Sequence, residues 1–213
     1  MPFRQVIPPA VDALTGINEP VSLAEVKQHL RVEIDDDDAL ILGLIATARQ
    51  MAETLTCRQL LTSTWDLLLD AFPGPSLMGV PAGVPYSLPG HAILIPKGPV
   101  QQVDSITYLD MNFDLITMPP TDYVVTTTED MTRITPVFGK IWQPTLPQIS
   151  AVAVRFTAGY GDASQVPAGI KHWIKLRVDA LYNQRSEIAF VRGRMEPLPF
   201  ADHLLDPYRI VVL

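Results

Sequence analysis

Two segments with helical periodicity flank a long stretch with strand periodicity, and this order limits the possible fold more than any other feature of the chain. Residues 37–55 repeat apolar side chains at helical spacing: Ile41, Leu44, Ile45, Ala48, Ala52 and Leu55. Residues 166–185 do the same: Ile170, Trp173, Ile174, Val178, Leu181 and Tyr182. Helices with one apolar face must pack against other elements. We therefore predict an α+β fold: an N-terminal helical pair and a C-terminal helix packed together, with an inserted, small, mostly antiparallel β-sheet domain.

The first helix of the pair has a predicted start at "SLAE", where Ser22 can cap the helix and Glu25 can reach back to it. Asp35–Asp38 then precede the second helix, and two interpretations compete there. Helix N-termini attract carboxylates by about 0.3–1 kcal/mol each, whereas a calcium loop needs ligands at alternate positions and a turn glycine. The run lacks that spacing and therefore predicts a helix start. A metal-dependent hydrolase built on these aspartates is the alternative function.

The middle of the chain predicts short strands interrupted by prolines. Branched and aromatic residues dominate five stretches: LLTSTWDLLLDAF, HAILIP, VQQVDSITYLD, DYVVTTT and ISAVAVRFTAGY. Seven prolines and five glycines between Phe72 and Pro99 prevent regular structure, so 73–90 is predicted to be an exposed loop. A ligand-binding β module with residues 72–90 as its lid is therefore a further alternative. Residues 186–200, SEIAFVRGRMEPLPF, are predicted to be a loop.

These elements divide the chain into consecutive parts. Four prolines within residues 1–20 restrict the backbone and favour an extended arm. The predicted parts are the N-terminal arm 1–20, the helical core 21–58 and 165–206, the β-rich insertion 59–164 with its Pro/Gly-rich loop 73–90, and a C-terminal tail 207–213.

Charge is unevenly distributed along the chain. Residues 1–150 contain 8 Lys and Arg against 17 Asp and Glu, and residues 151–213 contain 8 against 6. Because an acidic surface repels phosphate, tight nucleic-acid binding is not expected. The single cysteine, Cys57, excludes an internal disulfide and suits a reducing compartment. The longest apolar run, residues 39–46, is too short for a membrane helix, so no membrane partner is expected.

The residue types that perform catalysis do not converge in a known pattern. His29, His91, His172 and His203 lie in four separate segments without metal-ligand spacing. The sequence also lacks a nucleophile elbow and the glycine loops that bind nucleotides. We therefore predict no catalytic residue, no metal ligand and no cofactor. Extended termini and a proline-rich loop favour protein assembly instead.

The order of these segments resembles that of the head–tail connector proteins (adaptor or head-completion proteins) of tailed bacteriophages and prophages, in the subgroup with a β-rich insertion. No single motif identifies the family, but the joint order of several does, and together they span most of residues 19–208. The stretches that resemble the family are EPVSLAEVKQHLRVEIDDDDALILGLIATARQMAE, LLTSTWDLLLDAFP, ILIPKGPVQQVDSITYLD, DYVV, VRFTAGYGDASQVPAGIKHWIKLRVDALYNQR and LLDPYR.

The resemblance implies a structural, non-enzymatic virion protein that is made in the host cytoplasm and lies at the head–tail junction. Such proteins form a homo-oligomeric ring of about a dozen copies beneath the portal protein. The ring extends the channel through which double-stranded DNA passes without tight binding, and a tail or stopper protein docks on it.

A closed ring requires two different patches on each subunit. We expect the second and third helices to supply subunit contacts. The arginines beyond the third helix, Arg185, Arg192 and Arg194, and the apolar tail 207–213 are expected to supply further contacts. For the tail, docking on a neighbour by strand addition and pairing within the chain's own sheet are both open. The expected subunit or partner contacts are Lys171, Trp173, Lys175, Asp179, Tyr182, Arg185, Arg192, Arg194, Ile210, Val211, Val212 and Leu213.

Overall fold

The structure is a computed structural model that describes residues 3–9, 18–74, 91–128, 131–183, 188–191, 194–197 and 202–210, with the backbone alone at 188–191 and 194–197. The chain divides into two compact units. The described residues from 3–8 and 63–159 form the sheet unit, and those from 9–62 and 160–210 form the helical unit. The predicted insertion, 59–164, overlaps the sheet segment, 63–159, and residues 75–90 of the predicted loop 73–90 lie outside the described residues.

In the helical unit, three α-helices and the longer of two described 3₁₀ helices line the core. These are α1 (Leu23–Leu30), α2 (Asp38–Thr56), α3 (Ala168–Asn183) and the 3₁₀ helix Asp202–Tyr208. Most of the periodic apolar residues of α2 and α3, but not Leu55, face one another across a core that α1 and the 3₁₀ helix also line. Its fully buried side chains include Val26, Ile41, Ile45, Ala52, Ile170, Trp173, Ile174, Val178 and Leu205.

The capping box predicted at the start of α1 is confirmed. The backbone N–H of Glu25 donates to Ser22 Oγ at 3.3 Å, and the backbone N–H of Ser22 donates to the Glu25 carboxylate at 2.8 Å. Two N–H groups that the helix leaves without intrahelical partners are thereby satisfied. The hydrogen bonds from Ser22 lower the pKa of Glu25 below its ordinary value, because they favour the charged carboxylate.

The described residues of the sheet unit contain eight strands. In chain order they are β1 (Phe3–Ile7), β2 (Ser63–Leu69), β3 (Ile93–Ile95), β4 (Val100–Leu109), β5 (Leu115–Thr117), β6 (Tyr123–Thr127), β7 (Thr132–Pro136) and β8 (Val152–Ala158). They form a five-stranded sheet in the order β1-β2-β8-β4-β5 and a three-stranded sheet in the order β3-β7-β6. All of these described pairings are antiparallel.

Strand β8 lies at the centre of the larger sheet, between β2 and β4. Its residues Val152, Val154 and Phe156 are fully buried, whereas Arg155 is exposed, so one face of the strand is covered. Leu67 and Ile106 lie opposite Val154 on either side and extend the same apolar row. The α+β fold class is confirmed by this arrangement of helices and antiparallel sheets.

The structure differs from the sequence-based expectation in two places. Phe3–Ile7, expected in an extended arm, is the edge strand β1; only Phe3 is partly buried there, so the strand leaves little apolar alternation in the sequence. Residues 186–200, predicted to be a loop, contain the antiparallel strands β9 (Ile188–Val191) and β10 (Arg194–Pro197). The loop prediction was wrong for these two stretches, because Ile188–Val191 pairs in antiparallel register with Arg194–Pro197.

Candidate assembly surfaces

The acidic run Asp35–Asp38 lies at the start of α2, as the helix-start interpretation predicted. Lys27 Nζ donates to Asp35 at 2.6 Å and to Asp38 at 2.7 Å, which joins the end of α1 to the start of α2. The Lys27 ammonium lowers the pKa of the Asp35 carboxyl, and Asp35 and Asp38 raise the pKa of Lys27. Across the described residues, His, Cys, Asp and Glu form no group of three or more that could hold a metal ion.

Two residues expected at the subunit surface are engaged inside the helical unit instead. The Trp173 side chain is fully buried, and its Nε1–H donates to Asp202 at 3.1 Å. The Tyr182 hydroxyl donates to Asp37 at 2.5 Å and fastens the end of α3 to the start of α2. The expectation for Trp173 was wrong, because its indole fills the core and cannot reach another subunit.

The charged positions of α3 lie at the surface. Lys171, Lys175 and Asp179 are each half-buried along the helix, and Asp179 accepts a hydrogen bond from Asn183 at 2.7 Å. After the Ser22 hydrogen bonds, Lys175 and Lys171 also lower the pKa of Glu25 on α1. The two lysines therefore border α1 and form a mixed-charge surface with it.

The structure describes only part of the segment that contains the three arginines beyond α3, and only part of the tail. Arg185, Arg192, Val211, Val212 and Leu213 lie outside the described residues, and Arg194 belongs to β10, where the backbone alone is described. Ile210 is 6% exposed and its N–H donates to the carbonyl of Thr56 at 3.0 Å. Ile210, within the predicted tail 207–213, is thus bound to α2 of its own chain.

A buried ionic network in the helical unit was not predicted from the sequence. Arg49 Nε donates to Glu19 at 2.8 Å, and Arg49 Nη1 donates to Glu53 at 3.2 Å. Glu53 also accepts from Gln59 Nε2 at 2.8 Å and from the backbone N–H of Leu60 at 3.1 Å. The i,i+4 spacing of Arg49 and Glu53 on α2 was the available signal, but Glu19 lies 30 residues from Arg49. The network joins the segments before α1 and after α2 to α2 itself.

A second buried carboxylate lies in the sheet unit. Asp66 on β2 is 1% exposed and accepts hydrogen bonds from Arg155 Nε at 2.8 Å, Arg155 Nη2 at 3.1 Å and Arg4 Nη2 at 2.7 Å. These bonds, with Arg155 contributing most, hold the pKa of Asp66 below its ordinary value against the opposing effect of burial. The three residues lie on the adjacent strands β1, β2 and β8, and their ion pairs attach the edge strand β1 to the sheet.

One end of the sheet unit exposes large apolar side chains. We call this surface the apolar tip. It comprises Met111, Phe113, Leu115, Phe138, Ile141 and Ile149, whose exposure lies between 58% and 95%. None of these six residues was assigned to a surface from the sequence. A Phe in a hairpin turn was the signal that could have identified this surface.

Part of the chain matches a known protein family. Residues 20–108 match the family model described as phage gp6-like head-tail connector protein. The resemblance to phage head–tail connectors is confirmed. The matched range begins beside the buried Glu19, contains α1, α2 and β2, and ends within β4. No curated relative matches the chain.

Solved structures match the fold of the whole chain. A chain in the neck of an empty gene transfer agent particle, computed with C6 symmetry, and a chain in the virion of a native gene transfer agent particle each match with a TM-score of 0.72. A chain in the neck of the native particle, computed with C12 symmetry, matches with a TM-score of 0.70. Each is 20% identical, and each match covers 100% of this chain and 97% of the other. At this identity the likeness shows a shared fold.

Among the described residues, no helix has both the length and the apolar character that crossing a bilayer requires.

Proposed function

We propose that this protein is a structural connector at the head–tail junction of a tailed phage, prophage or phage-like particle. The observation that carries the proposal is the fold match over the full chain to proteins of particle necks. The match of residues 20–108 to the head-tail connector family model supports the proposal independently of the fold. In this role copies of the chain close into a ring beneath the portal protein, extend the DNA channel and present a docking surface to a tail or stopper protein. The role involves no catalysis.

The charge distribution is compatible with DNA that passes through the ring without being held. Each phosphate neutralised by a cation adds salt-dependent affinity, which would slow the movement of a duplex. Several cations of this chain are already bound to carboxylates within their own unit. These pairs are Lys27 with Asp35 and Asp38, Arg49 with Glu19 and Glu53, Lys140 with Asp122, and Arg155 with Asp66. The acid excess of residues 1–150 adds to this effect.

Ring closure needs a heterologous contact between neighbouring subunits. We assign one side of it to the mixed-charge surface of α3, formed by Lys171, Lys175 and Asp179. On α2, Leu40 and Leu55 are 44% and 37% exposed, which supports a role for this helix in the same contact. Arg185, Arg192, Arg194 and the tail residues after Ile210 are proposed as contacts to the portal or to the tail protein.

Charge reversal on α3 tests this assignment. The double variant Lys171→Glu and Lys175→Glu replaces two cations of the proposed subunit contact with anions. These anions would repel acidic residues that face them in the contact, so self-association measured by analytical ultracentrifugation should fall. Arg133→Glu combined with Arg209→Glu is the matched control, because both arginines are exposed and the net charge changes equally. Equal association of the two double variants, each with an unchanged melting temperature, would contradict the assignment of α3.

A further inference from the structure

The segments that carry the apolar tip lie at one end of the sheet unit, because backbone hydrogen bonds bring them together. The N–H of Leu109, at the end of β4, donates to the carbonyl of Ala151 at 2.9 Å, and the carbonyl of Leu109 accepts from Leu146 at 3.0 Å. Leu115 pairs with Leu109 on the other side. The β4–β5 turn, which contains Met111 and Phe113, and the segment that contains Ile149 therefore lie at the same end of the sheet.

The remaining tip residues reach this end through the segment after β7. Ile141 lines a shallow depression together with Tyr108 and Met118, which adjoin Leu109 and β5. Phe138 lies three residues earlier and is 95% exposed. Val137 N–H donates to the carbonyl of Asp122 at 3.0 Å, which fixes the start of this segment.

The area of the apolar tip is larger than the surface of a monomer requires. Taking about 200 Å² for a fully exposed large apolar side chain, the six residues present on the order of 900 Å². The largest apolar patch of a typical monomeric protein is roughly 300–600 Å². A stable interface buries about 800 Å² on each partner. The tip therefore has the size of one half of a specific protein interface.

The backbone at Phe113 indicates that its exposure is functional. Phe113 has φ 71°, in the left-handed region that Gly and Asn adopt readily and bulky residues avoid. The turn is closed by Phe113 N–H donating to the carbonyl of Asp110 at 3.2 Å and by Asp110 N–H donating to that of Asp114 at 3.0 Å. A Phe that is 72% exposed at such a position gains little burial within its own chain. Unfavourable backbone of this kind is typical of functional surfaces.

The charges around the tip exclude DNA as its occupant. Lys140, the cation beside it, is bonded to Asp122. The Asp110 carboxylate is occupied by its own turn, where it accepts from the N–H groups of Asn112 at 2.8 Å and Asp114 at 2.9 Å. An apolar centre with few available charges is the composition of a protein–protein interface core.

We propose that the apolar tip packs against a different patch of a second copy of this chain, as one side of the ring contact; this inference rests on the proposed connector function. The tip area matches what a stable contact buries. A patch of this size is an aggregation hazard whenever it is uncovered. Copies of the same chain are present from synthesis onward, whereas a different virion protein would cover the tip only at a later step of assembly.

The test is a triple variant, Phe113→Asn, Phe138→Ser and Ile149→Thr, in the full chain. All three side chains are exposed, and Asn suits the left-handed backbone at 113, so the variant should melt at the wild-type temperature. A matched control changes three exposed apolar residues of the same unit outside the tip: Val6→Thr, Ile7→Thr and Leu94→Thr. Analytical ultracentrifugation over a range of micromolar concentrations should show self-association of the wild type and of the control. The triple variant should associate about 100-fold more weakly, as expected for three interface anchors.

Other outcomes overturn the proposal in distinguishable ways. Rings of the triple variant with wild-type affinity would reject the tip while leaving the connector function intact. A wild type that stays monomeric, but binds connector-deficient particles in a way that the triple variant does not, would assign the tip to a different virion protein and reject self-association. A wild type that neither associates nor binds such particles would reject both proposals. If the triple variant does not fold, Phe138→Ser alone supplies the same comparison, because that side chain is almost completely exposed.

Discussion

Replacing Arg49 by Met should destabilise the helical unit strongly, because it leaves a carboxylate uncompensated in the interior. Glu19 is 6% exposed, and Arg49 Nε is its hydrogen-bond partner at 2.8 Å. Removing one member of a buried ion pair costs about 3–5 kcal/mol. Proteins of ordinary stability unfold with about 5–15 kcal/mol in total. The single substitution should therefore remove a large fraction of the folding free energy.

The double-mutant cycle separates the interaction from the loss of packing. Glu19→Gln leaves Arg49 bound to Glu53, so it should cost about 1.5–3 kcal/mol, the value of a lost charged hydrogen bond. Glu53 keeps its bonds from Gln59 and Leu60 in every member of the cycle. The variant with both Arg49→Met and Glu19→Gln buries no unpaired charge at this pair, and Met fills much of the volume. Its destabilisation should be smaller than the sum of the single effects by about 1.5 kcal/mol or more.

Urea unfolding followed by circular dichroism at the helical band measures the effect in the appropriate unit, since α1, α2 and α3 all belong to the helical unit. The control is Arg209→Met, which changes an exposed arginine and should alter the unfolding free energy by less than about 0.5 kcal/mol. Additive single effects, or an Arg49→Met variant as stable as this control, would refute the view that the pair is coupled in the interior.

Two further predictions concern the sheet unit and α1. Asp66→Asn should lower the unfolding free energy at neutral pH by about 1–3 kcal/mol, because a neutral amide binds Arg155 and Arg4 more weakly. The pKa of Asp66 is lower in the folded than in the unfolded state, so its contribution is present above the unfolded value of about 3.9 and is lost as the pH falls through the folded value. Thermal melts between neutral pH and about pH 2 should therefore show a shallower acid decline in the variant; an identical decline would contradict this. Ser22→Ala should cost the helical unit about 0.5–2 kcal/mol by removing the cap of α1. Ser22→Asn is its control and should restore most of the loss in the same urea assay; no difference between Ala and Asn would argue against capping.

The elements that depend on local patterns were predictable from the sequence. The capping box at Ser22 and the apolar periods of α2 and α3 involve residues a few positions apart, so the sequence alone contains their geometry. The alternation of Val152, Val154 and Phe156 is likewise visible in the sequence and marks the covered face of β8. The four aspartates before α2 were interpreted correctly as a helix start because their spacing does not suit a cation loop.

Features that depend on contacts between distant residues were not predictable in the same way. Glu19 and Arg49 become partners only once the helices pack, and the Arg4–Asp66 pair requires β1 to lie beside β2. An apolar residue on an amphipathic helix can face the core or a partner. Trp173 was assigned to a partner contact, but its side chain lies in the core. The exposure of Phe138 and Ile149 depends on the path of an irregular segment, which hydrophobic periodicity does not describe.

Assembly is the central claim, and electron microscopy of the concentrated full-length protein tests it most directly. The account predicts annular particles whose class averages have rotational symmetry and a central opening wide enough for a DNA duplex. Uniform particles of monomer size at every concentration, with and without the portal protein, would contradict it.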